Sequence, residues 1–109
     1  MAKLECSVRG DFTLVKERIK NGILEGSMSA TLEDISYFSS GDAKCCVMVF
    51  ERYSYAGGNR VSLTVTLFQN GTEEIRVSGI TSGGSQAMFF KVNTWGEEAF
   101  LDKLSEILR

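Results

Sequence analysis

From Arg60 to Phe68 every second residue is apolar: Val61, Leu63, Val65 and Leu67 alternate with Ser62, Thr64 and Thr66. A period of two puts one set on each face of a strand, so this stretch predicts a half-buried β-strand with hydroxyls on its open side. The next run repeats the pattern, with Ile75 and Val77 set against Glu74, Arg76 and Ser78. The preceding run, Cys45 to Phe50, is apolar at every position, which predicts cover on both faces of that strand. Gly57-Gly58 and Asn70-Gly71 separate the three runs and supply the positive φ angles that tight turns need. The stretch from 43 to 82 therefore reads as an antiparallel meander.

The faces constrain the second turn. A two-residue Asn70-Gly71 loop would set Val65 opposite Arg76 and mix apolar with polar. A three-residue Gln69-Asn70-Gly71 loop sets Val65 opposite Ile75 and Leu63 opposite Val77, so the apolar sets share a face. That loop is the expectation.

Outside the meander, Leu4, Cys6 and Val8 alternate with Lys3, Glu5 and Ser7 and predict a strand. Asp11 is a good acceptor for the free amides of a helix start, and Phe12, Val15, Ile19 and Ile23 then recur at helical spacing. Gly26 is the expected stop, in the left-handed conformation, with Asn21-Gly22 as an earlier alternative. A strand is expected from Ser27 to Phe38 and a turn over Ser39 to Asp42. After Ser82-Gly83-Gly84-Ser85, the short apolar run Ala87 to Val92 reads as a further strand. Thr94 and Glu97 fit a capping box, and Phe100, Leu101, Leu104, Ile107 and Leu108 follow with helical period. The expected fold is α+β: an antiparallel sheet of five to six strands, in the order β-α-β-β-β-β-(β)-α. The N- and C-terminal helices pack on one face, helix-grip fashion, in a single domain over residues 1–109.

Composition narrows the function more than it names it. The 109 residues are 43% hydrophobic and 24% charged, as in an ordinary globular domain. A net charge of −2 argues against a nucleic-acid partner, since duplex binding shows a basic patch. No stretch approaches the roughly 20 apolar residues of a membrane span. The opening MAKLECSVRGD has no apolar run of the signal-peptide kind, and three irregularly spaced cysteines fit a reducing compartment, so a cytoplasmic location is expected. With no histidine, imidazole-based catalysis and imidazole metal sites are excluded. The cysteines lack C-x-x-C spacing, the Glu73-Glu74, Glu97-Glu98 and Glu33-Asp34 pairs are sequence neighbours that rarely converge, and Ser82–Ser85 lacks the lysine of a phosphate loop. The reading leans away from an enzyme, with no cofactor and no catalytic residue.

GGNRVSLTVTLFQNG followed by ITSGGSQAMFFKVNTWGEEAFLDKL resembles a family of small, uncharacterised bacterial proteins of this length, known as a domain of unknown function. The resemblance implies a free-standing protein and supplies no catalytic residues. Two functional readings follow. One is a module for a small apolar ligand or lipid, held under the C-terminal helix by Trp95, Phe100 and Leu104, with Tyr53 and Tyr55 nearby. The other is a non-catalytic interaction protein that forms a homodimer through a sheet face or edge.

Overall fold

The computed structural model describes residues 1–53, 60–83 and 90–109, with side chains from residue 98 onward in the last segment. The elements are β1 (Ala2–Arg9), α1 (Phe12–Gly26), β2 (Thr31–Ser40), β3 (Ala43–Tyr53), β4 (Arg60–Asn70), β5 (Glu74–Gly83) and α2 (Phe90–Leu108). All five strands form one antiparallel sheet in the order β1-β5-β4-β3-β2. The last four strands are a meander, and β1 joins it beside β5. Helix α1 carries the chain from one edge of the sheet to the other, where β2 begins. Both helices lie on the same face, packed on each other and on the sheet.

The core is the inner face of that sheet. Val61, Leu63, Val65 and Leu67 of β4 are all buried, as are Ile75 and Val77 of β5, which is the apolar set the alternation assigns. Phe12, Val15, Ile19 and Ile23 cover it from α1, and Phe100, Leu101 and Leu104 from α2. Asp11 caps α1 by accepting a hydrogen bond from the Leu14 amide at 3.0 Å. Burial of such side chains is worth about 1.5–3 kcal/mol each, so the paired stripes of the helices and the sheet dominate stability.

Several expectations are corrected. The β4–β5 register is Leu67 with Val77, Val65 with Gly79 and Leu63 with Thr81, two residues further along than the expected loop gives on each strand. The faces survive because the shift is even. Its cause lies at the other hairpin: Ala43 pairs with Asn70, and the Gly71 amide donates to the Asp42 carbonyl at 3.3 Å. That draws Gln69 and Asn70 into the ladder and moves the turn to residues 71–73, with Gly71 left-handed at φ 72°. The β2–β3 turn is shorter than expected, only Gly41-Asp42, because β2 runs on to Ser40. Strand β2 starts at Thr31 rather than Ser27, and Met28 is fully exposed instead of alternating into the core. Gly26 ends α1 without a positive φ; Ser27 is the C-cap, in extended conformation.

Strand β3 is covered on one face only. Cys46, Met48 and Phe50 are buried, while Cys45, Val47 and Val49 are half-buried on the face away from the helices. The expected sixth strand is absent as written: Phe90 to Val92 belong to α2, and Ala87 to Phe89 lie outside the described residues. A short apolar run without alternation carries no period of its own and serves equally as the first turn of a helix. Thr94 therefore lies inside α2 and does not cap its start. The Gly57-Gly58 turn falls outside the described residues.

Candidate functional site

Of the five residues expected to hold a ligand, Phe100 and Leu104 are brought together and fully buried. They are part of the core. Leu104 sits so close over Gly79 that a Cβ there would come within 2.5 Å of its Cδ2. The missing side chain of Gly79 is what lets α2 approach β5. Trp95 lies within α2, with a side chain outside the described set, and Tyr55 is outside the described residues altogether. Tyr53 stands apart at the end of β3, 54% exposed, with the Arg60 guanidinium 5.2 Å above its ring.

Tyr53 also lines a groove of about 480 Å³ with Ser27, Met28, Ser29, Arg52 and Lys103. Here the chain leaves α1 and turns into β2. Arg52 Nη1 donates to Ser27 Oγ at 2.7 Å, and its guanidinium lies 4.4 Å from the centre of the Phe100 ring. The Tyr53 amide donates to Ser29 Oγ at 3.0 Å. The arrangement ties the end of β3 to the end of α1.

The larger feature is the other face of the sheet. Strand pairing places its side chains in cross-strand rows, because partners across an antiparallel ladder point the same way. One row reads Phe38, Cys45, Phe68, Arg76, Ser7 from β2 to β1. The next reads Ser36, Val47, Thr66, Ser78, Glu5, and the third Asp34, Val49, Thr64, Ile80, Lys3. In a fourth, Glu51, Ser62 and Ser82 are aligned, with the two serine hydroxyls 2.9 Å apart. Among the described residues no helix packs on these rows. Phe38 is 64% exposed, Phe68 40% and Ile80 38%.

The charges on this face lie towards its margins. Lys3, Glu5 and Arg76 lie on the β1–β5 side, and Glu33 and Asp34 on β2. At one end Arg60 Nε meets Glu51 Oε1 at 2.7 Å and Nη2 reaches Glu33 at 3.6 Å; the Glu51 carboxylate raises the Arg60 pKa further. The middle is hydroxyl and hydrocarbon. An uncharged centre with a charged rim is the usual anatomy of a protein interface. The all-apolar β3 run in the sequence predicts cover on both faces, and the structure covers only the face of Cys46, Met48 and Phe50.

The cysteines divide by face. Cys46 and Cys6 point inward, and burial raises the pKa of both thiols. Cys45 is on the open face, between Phe38 and Phe68. Among the described residues no three Cys, Asp or Glu side chains gather as metal ligands, and no helix is long and apolar enough to cross a membrane.

The sequence matches over residues 1–109 the family described as a family of unknown function, DUF6054. The chain belongs to that family. No curated protein and no solved structure matches it. Membership of DUF6054 therefore brings no substrate or partner.

Proposed function

We propose that this protein is a non-catalytic interaction module that self-associates through the open face of its sheet. The observation that carries this reading is the contrast between an inner face whose described apolar side chains are buried under two helices and an uncovered face with an uncharged centre and a charged rim. The edges are poorer candidates. Strand β2 is interrupted by a bulge between Leu32 and Asp34 and carries two acids there, while β1 bears Lys3, Glu5 and Arg9. Bulges and charges are the standard protection of a sheet edge. The centre of the face has no such protection. Sedimentation velocity from low micromolar to near-millimolar concentration tests the reading: a reversible monomer–dimer shift is expected, and a monomer throughout overturns it.

A second reading has one observation in its favour. The groove beside Tyr53 falls within the ~300–1,000 Å³ typical of small-molecule sites. In a helix-grip ligand module it would be the mouth, with Phe100 beneath Arg52. A thermal-shift panel of fatty acids, sterols and flavins, with Trp95 emission as second readout, tests it. A raised melting temperature and a Trp95 change lost in Tyr53→Ala would support a ligand there. A panel without a shift would remove this reading.

A further inference from the structure

One row of the open face, from Asp34 on β2 to Lys3 on β1, carries opposite charges at its two ends and so complements its own reverse. We infer that two copies stack face to face about a two-fold axis running along the central strand β4, so that Lys3 of each copy meets Asp34 of the other. The inference rests on the self-association proposed above and specifies its geometry.

Strand β4 is the middle strand of the sheet. A two-fold parallel to it lays all five strands of one copy over all five of the other, with β1 above β2 and β5 above β3. Two aligned sheets can pack in this way, about 10 Å apart. Each row then lies on its own reverse. In the row Asp34, Val49, Thr64, Ile80, Lys3, the acid of one copy faces the lysine of the other at both ends. Val49 meets Ile80, and Thr64 lies on its counterpart at the axis. Two rows further, past Thr66, Phe68 lies on the second Phe68. Offset aromatic pairs of this kind add about 0.5–1.5 kcal/mol beyond the area they bury.

The size is sufficient. Five strands about 4.8 Å apart, overlapping over the eight residues of β1 at about 3.3 Å each, present on the order of 600 Å² per copy. Two copies bury roughly 1,200 Å², at the lower bound of stable, specific interfaces. The hydroxyls at the Glu51 end of the face do not forbid this. Ser62 and Ser82 already bond to each other, so part of their cost of leaving water is met within one copy.

The competing two-fold runs across the strands and stacks β1 on β1. It brings Lys3 towards Glu5 of the other copy in one register and Glu5 against Glu5 in the adjacent one, and it leaves Asp34 without a basic counterpart. Opposite charges at both ends of the Asp34–Lys3 row favour the axis along β4.

A charge-swap cycle tests the arrangement, read by sedimentation and with folding checked by circular dichroism. Lys3→Glu and Asp34→Lys should each weaken the dimer on the order of ten-fold, because each reversal acts twice across a two-fold. The double variant Lys3→Glu/Asp34→Lys should restore it. A dimer that ignores both single changes overturns the arrangement while leaving self-association standing. Rescue of Lys3→Glu by Glu5→Lys rather than by Asp34→Lys identifies the axis across the strands and overturns the one along β4. A wild-type chain that stays monomeric overturns both this inference and the reading it rests on.

Discussion

The two faces of β4 share one backbone and differ in everything else. On one side Val61, Leu63, Val65 and Leu67 are at most 1% exposed beneath two helices. On the other Ser62, Thr64 and Thr66 are half-buried by their strand neighbours alone, and Phe68 is open. The helices α1 and α2 supply stability to the first face. The second face contributes little to folding, and this leaves it free for association. Phe68, apolar and exposed among threonines, is the residue on which the proposed association would act most.

The comparison breaks first where packing is tightest. Leu63→Ala and Phe100→Ala should cost about 2–5 kcal/mol, measured by urea denaturation, since each empties a fully buried site. Losses below about 1 kcal/mol would mean that the inner face is not the core. Next comes Gly79→Ala, whose new methyl would sit 2.5 Å from Leu104 Cδ2 and should destabilise by about 1–3 kcal/mol. Adding Leu104→Ala to that variant should cost less than Leu104→Ala does in the wild type, because the methyl then fills part of the space. Additive losses would separate the two residues and remove the close approach as the cause. Smallest is Thr64→Ala, within about 1 kcal/mol at concentrations where the chain is monomeric. The same change measured where it is dimeric should cost more, and an equal cost in both would mean that Thr64 never meets a partner.

How much of this was legible in the sequence follows from which signals are local. Period two along β4 and β5 assigned the inner residues correctly, because burial of one face constrains parity and nothing else. The exact register escaped, since it depends on Ala43 reaching Asn70 and on Gly71 reaching Asp42, contacts between two hairpins. Nothing in the alternation marks Gly79 and Thr81 as inner-face positions. One is defined by the missing side chain that admits Leu104, and the other by a buried hydroxyl that donates to the Ala2 carbonyl at 3.4 Å. The candidate site was half visible. Val47, Val49 and Cys45 stood out as apolar, but only the strand order shows that the helices cover their neighbours and not them. The helical period that marks Phe100 and Leu104 as ligand residues is the same period that builds cores, and the core is where they lie.

Cys45 offers the most direct test of the open face, because it sits in the row between Phe38 and Phe68 with no helix above it. Its rate of reaction with a small thiol reagent can be followed site by site by mass spectrometry as concentration rises. The account predicts that Cys45 reacts readily in dilute solution and slows as the dimer forms, while Cys46, buried and with its thiol pKa raised, stays slow at every concentration. A Cys45 rate that does not change between dilute and concentrated protein would contradict the claim that this face is the surface the protein uses.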